Sequence, residues 1–217
     1  MHTSVSNFIS VKRELELKIP EKSNTNIIAV SKTFDMSMIK PLIDYGHQHF
    51  GENKVQEALE KWTDVKNSTE NIQLHMIGKL QTNKVKYVIP LFDYIHSLDN
   101  LNLAKKISQE QKKKNKNLKI FIQINIGNEK QKSGIDIGSL NDFYSTCVNE
   151  LQLNIIGLMC IPPQNEDINF HFKKMSEIQK SIGVKELSMG MSSDYLEAIK
   201  YGASFVRIGS KIFGERA

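Results

Sequence analysis

Short apolar, β-branched runs recur about eight times along this chain, each followed by a stretch with apolar residues at helical spacing, at intervals of roughly 25 to 30 residues. That alternation restricts the fold more than any other feature. Strands separated by helices return in the same direction and pair in parallel, and helices must then cover the sheet. The runs predicted as strands lie within 27–33 and at 48–50, 72–77, 92–97, 118–126, 153–160, 185–188 and 204–208. Helices are predicted over 36–45, 53–66, 82–88, 101–114, 140–150, 165–181 and 194–201, with Gly46 stopping the first of them. Eight such repeats suit a (β/α)8 barrel. A doubly wound open sheet is the alternative, but no glycine-rich dinucleotide loop follows the first strand, where that fold would place one.

At 217 residues and 40% hydrophobic content the chain can bury one sizeable core, so residues 1–217 are expected to form a single domain. The net charge of +5 could suggest a nucleic-acid partner. Its excess, however, is concentrated in Lys112, Lys113, Lys114 and Lys116, a run with no interleaved aromatics and no nucleic-acid motif, which reads as a solvated helix end. Cys147 and Cys160 lie in apolar surroundings without metal-ligand spacing, and are expected to be core thiols in a reducing compartment. The first residues lack a basic segment followed by an apolar one, and no window approaches the ~18 apolar residues of a membrane span. A cytoplasmic location with no membrane contact is therefore expected.

Within Ile27-Ile28-Ala29-Val30-Ser31-Lys32-Thr33, a lysine ends an apolar strand at the end of a barrel where chemistry is carried out. Lysine is depleted in strands, and desolvation favours its neutral, nucleophilic amine, so Lys32 is the candidate for a Schiff base with an aldehyde. The plain alternative is a solvated lysine in a strand-to-helix loop. Barrels commonly hold phosphate with the loops after strands seven and eight. Here those loops read Ser188-Met189-Gly190-Met191-Ser192-Ser193-Asp194 and Arg207-Ile208-Gly209-Ser210. Both offer hydroxyls and glycine, although serines and glycines also cap helices for structural reasons. Arg207 is expected to alternate inward toward the barrel mouth, as either the partner of a buried carboxylate or a permanent donor to a ligand atom.

Taken together, Ala29-Val30-Ser31-Lys32, Phe50-Gly51-Glu52-Asn53-Lys54-Val55-Gln56-Glu57, His75-Met76-Ile77-Gly78-Lys79-Leu80-Gln81-Thr82-Asn83-Lys84 and Ser188-Met189-Gly190-Met191-Ser192 resemble the pyridoxal phosphate homeostasis protein family. Arg207-Ile208-Gly209-Ser210-Lys211-Ile212-Phe213-Gly214-Glu215-Arg216 closes the pattern, which spans nearly the whole chain. The resemblance implies one (β/α)8 barrel like the N-terminal domain of alanine racemase, with pyridoxal 5'-phosphate bound covalently to Lys32. It also implies phosphate contacts at Ser192, Gly209 and Ser210, Arg207 facing the pyridine nitrogen, and Asn53 in a motif lining the pocket. His75 and Met159 are weaker pocket candidates. Ser193 stands where the family commonly has aspartate, Lys54 where tyrosine is common, and Ser210 where threonine is usual.

A pyridoxal enzyme needs positioned acids and bases besides its cofactor. The racemase-like fold normally gains one from a second domain, which is not expected in a chain ending at Ala217, and an arginine at the pyridine nitrogen weakens the ring as an electron sink. The expectation is thus a monomer that holds the cofactor and buffers it or delivers it to pyridoxal-dependent apoenzymes, with little or no turnover. The competing readings are a small amino-acid racemase, a Schiff-base aldolase on a phosphorylated sugar, and a nucleic-acid binder using Lys112 to Lys116.

Overall fold

The computed structural model describes residues 1–22, 25–129 and 131–215, so Arg216 of the last motif and the terminal Ala217 lie outside the described residues. The strands are β1 (Asn26–Val30), β2 (His49–Glu52), β3 (Gln73–Met76), β4 (Tyr94–Leu98), β5 (Lys119–Ile124), β6 (Ile155–Cys160), β7 (Glu186–Met191) and β8 (Phe205–Ile208). Each pairs in parallel with the next, and β8 pairs with β1 to close the barrel. Around it lie α2 (Met36–Asp44), α3 (Val55–Ser68), α4 (Val85–Leu91), α5 (Leu101–Lys114), α6 (Leu140–Ser145), α7 (Ile168–Ile182), α8 (Tyr195–Lys200) and α9 (Ser210–Phe213). Among the described residues no helix is long and apolar enough to cross a membrane.

The strands are buried on both faces, which is why they read as near-continuous hydrophobic runs. An outer core between sheet and helices includes Phe50, Trp62 and Phe172, all fully buried. A smaller cluster inside the barrel comprises Ile28, Tyr94, Phe121, Met159 and Phe205. Cys147 and Cys160 are free and buried, and burial pushes both thiols up to about 12, so they are inert core residues as expected. Lys112, Lys113 and Lys114 form the last turn of α5, where cations complement the helix C-terminus, and Asn115 ends it in a left-handed conformation.

Three departures from the sequence reading bear on the site. Lys54 is extended, so α3 starts at Val55 and Asn53 stays in the loop after β2. Strand β7 continues to Met191, past the 185–188 expected, because Met191 still pairs with Arg207 across a register shift. Gly190 makes this possible with φ +90°, and a Cβ there would lie 2.6 Å from that of Ala198. The third is a helix not anticipated at all, α1 (Thr3–Lys18). It buries Val5, Phe8, Val11 and Leu15 and reaches the far end of the chain. Asn7 Nδ2 donates to the carbonyl of Ile212 at 3.0 Å, and Glu14 Oε2 accepts from the Tyr195 hydroxyl and, at 3.2 Å, from Lys211 Nζ.

Candidate functional site

All six residues expected to bind a cofactor, Lys32, Asn53, Ser192, Arg207, Gly209 and Ser210, line one cleft of about 640 Å³ at the carboxyl ends of the strands. The loops after β1, β2 and β7, and β8 with the turn after it, supply them, at the end where barrels of this class place chemistry. Ser193 also lines the cleft. His75 and Met159 do not: both are buried inside the barrel, because their inward-facing positions on β3 and β6 lie below the mouth.

The turn carrying Lys32 is fixed by buried charge. Ser31 Oγ donates to Glu52 Oε1 at 2.7 Å, and Trp62 Nε1 donates to the same oxygen at 2.9 Å. Lys61 Nζ lies 2.7 Å from Glu52 Oε1 and 2.9 Å from Glu57 Oε1. Glu57 also accepts from the backbone N–H of Thr33. Burial pushes the Glu57 carboxyl up, but hydrogen bonds from Lys61 and Thr33 and the nearby positive charge outweigh it, leaving the carboxyl below its ordinary value.

Across the cleft the construction is different. Ser192 Oγ accepts from the N–H of Gly209 at 3.3 Å, so the loops after β7 and β8 are tied by a hydroxyl and a backbone amide. Arg207 is 5% exposed, and among the described residues no carboxylate pairs with it. Instead Nη1 donates to the carbonyl and Oγ of Ser188, each at 2.8 Å, and Nη2 donates to the carbonyl of Cys160 at 2.9 Å. The guanidinium is thus aimed by neutral acceptors and keeps its charge for whatever lies above it.

Ser188 also begins a column of rings that sequence reasoning did not find. Its Oγ is 2.9 Å from His96 Nδ1; His96 Nε2 is 2.9 Å from His75 Nδ1; His75 Nε2 is 3.0 Å from His49 Nδ1. Arg207 donates to Ser188 Oγ, and the donor direction of each contact along the column follows the ring tautomers. Burial holds His75 and His96 well below the usual histidine range, with His96 further depressed by Arg207, and burial lowers His49 as well. The signal was available: His75 and His96 occupy inward positions of their strands.

An amine at one edge of the cleft, hydroxyls and a glycine amide at the other, a fixed cation between them and apolar walls from Val30, Phe34, Ile77 and Ile161 suit a small phosphorylated aromatic aldehyde. The fold and this mouth define a barrel of the alanine racemase N-terminal type, and the sequence model of the family described as "Alanine racemase, N-terminal domain" matches residues 13–217. A pyridoxal phosphate homeostasis protein of Aquifex aeolicus is 37% identical over 199 residues, covering 88% of this chain and 86% of the relative. PipY of Synechococcus elongatus, solved with pyridoxal phosphate bound, is 30% identical with a TM-score of 0.84, covering 93% of this chain and 97% of its own. Alanine racemase of Clostridium difficile, 16% identical with a TM-score of 0.75 and covered over 57% of its length, shares the fold. The chain belongs to the pyridoxal phosphate homeostasis protein family.

Proposed function

We propose that this protein binds pyridoxal 5'-phosphate and serves its homeostasis, holding the cofactor as a Schiff base on Lys32. In this reading Ser192, Gly209 and Ser210 receive the phosphate, Arg207 faces the pyridine nitrogen and Asn53 borders the ring. The observation that carries it is the convergence of these six residues, from the ends of four separate strands and the turns that follow them, on one cleft. When bound, the cofactor supplies an aldehyde that the Lys32 amine can capture reversibly. An arginine opposite the ring nitrogen disfavours protonation there, because two facing cations repel, and this supports storage over turnover. The protein then acts as a single-domain cytoplasmic monomer that buffers the cofactor or passes it to pyridoxal-dependent apoenzymes, without a nucleic-acid partner.

An absorption spectrum before and after borohydride, beside a Lys32→Ala variant, tests the covalent site. A near-ultraviolet to visible band that borohydride fixes and the variant lacks is the expected result. A colourless protein that pyridoxal phosphate cannot reconstitute would overturn the reading. The racemase alternative needs a second proton-transfer group beside Lys32. The cleft offers Lys211 and Glu215, and no tyrosine or histidine lines it among the described residues. Deuterium wash-in at Cα of alanine or serine would establish that alternative in place of storage.

A further inference from the structure

Thr33, the residue after Lys32, has φ 68°, a left-handed conformation that is rare for a β-branched residue and persists only where the surroundings hold it. The holding groups come from α3, outside the barrel. Lys61 Nζ donates to the carbonyl of Ser31 at 2.9 Å and is 3.3 Å from that of Phe34, so one ammonium spans the backbone on both sides of Lys32. The same nitrogen is fixed by Glu52 and Glu57, and its side chain is only 13% exposed. Glu57 completes the arrangement by accepting from the N–H of Thr33. Lys61 is not among the residues lining the cleft.

We propose that Lys61 is a positioning residue for Lys32: clamped between Glu52 and Glu57, its ammonium ties down the carbonyls of Ser31 and Phe34 and thereby sets the direction from which the Lys32 amine enters the cleft. The role rests on the reading of Lys32 as the Schiff-base lysine. A polar clamp on backbone carbonyls does what an apolar side chain of the same length could not, since it fixes two carbonyls that would otherwise rotate toward solvent. It acts on covalent capture alone, because the phosphate side of the cleft belongs to β7 and β8.

Two ligands separate capture from simple binding. Pyridoxal 5'-phosphate can form the imine, whereas pyridoxine 5'-phosphate carries the same ring and phosphate but an alcohol in place of the aldehyde. In Lys61→Met the preference for the aldehyde over the alcohol, read as the ratio of dissociation constants, is expected to fall about tenfold or more, since small misplacements of a reacting group cost rates and equilibria on that scale. Affinity for pyridoxine 5'-phosphate stays near wild type, and Lys61→Arg, which retains the charge and several N–H donors, recovers most of the ratio. An unchanged ratio in Lys61→Met overturns the role, and so does equal loss of both ligands with an unaltered thermal melt. Should Lys61→Met fail to fold, Glu57→Gln decides: it leaves the Glu52 pair in place, and a ratio lowered about threefold supports the clamp while an unchanged one refutes it. If wild-type protein yields no borohydride-fixed adduct on Lys32, the Schiff-base reading itself falls. Retention of that adduct and of the ratio in the variant removes only the positioning role.

Discussion

The two sides of the cleft are built by opposite means. The β1 and β2 side rests on full charges withdrawn from water, with Glu52 Oε1 receiving Ser31, Trp62 and Lys61. The β7 and β8 side rests on neutral acceptors, a hydroxyl and backbone amides around one guanidinium. Buried charges are costly unless every partner is present, whereas neutral contacts can be lost singly at modest cost. The lysine side should therefore fail as a unit and the phosphate side by degrees.

The largest effect is expected from Glu52→Ala, which removes the buried acceptor shared by Ser31, Trp62 and Lys61 and leaves the Lys61 ammonium with Glu57 and two backbone carbonyls. Urea unfolding should report a loss of about 3 to 5 kcal/mol, and a loss below ~1 kcal/mol would mean the charges are not what holds this side.

Acid should bear on the ring column. His47 Nε2 lies 2.8 Å from the carbonyl of His49 at the foot of the ring column, and burial lowers this histidine from 6.5 to about 4. A histidine depressed in the folded state binds more protons when unfolded. Its stabilisation is present above pH 6.5 and is lost as pH falls toward 4, a difference of about 3 kcal/mol for this ring. His49, His75 and His96 shift in the same direction. Unfolding free energies should fall between pH 7 and pH 4.5; equal values would remove the neutral column from the account.

Ser188→Ala deletes one acceptor of Arg207 and the hydroxyl partner of His96, for an expected loss of about 1 to 3 kcal/mol in the same unfolding measurement. Ser192→Ala is expected to have the smallest effect. It weakens a phosphorylated ligand by about fivefold to tenfold in titration and leaves borohydride trapping on Lys32 intact. A total loss of binding there would contradict the piecemeal construction of that side.

Much of this was legible in the sequence. The alternation of runs located every strand, and strand-end position singled out Lys32, Ser192, Gly209 and Ser210, because β/α repeats leave their loops at one rim. Period-two alternation turned Arg207 inward. What stayed hidden depends on pairs distant in the chain and on faces that point away from the barrel. Glu52 reads as part of a strand-end motif, yet its carboxylate meets Lys61 and Trp62 on the following helix, a contact that only tertiary packing creates. His75 passed for a mouth residue because its inward direction was readable and its depth was not. Helix α1 was readable at Val5, Phe8, Val11 and Leu15, whose spacing matches a helical face, but its polar intervening residues carry no strand to anchor it in the repeat.

That first helix alters how the phosphate side should be regarded. Asn7 holds the carbonyl of Ile212, and Glu14 gathers Tyr195 of α8 and Lys211 of α9, so the helices that follow β7 and β8 both lean on a segment about two hundred positions earlier. The Tyr195 and Lys18 contacts, outweighing burial, bring the Glu14 carboxyl down to about 2, which keeps this brace charged at neutral pH. The opening stretch of the polypeptide is in effect a splint for its closing one. Shortening or burdening the beginning of the chain would be felt first by the turns after β7 and β8, and only afterwards by the rest of the barrel.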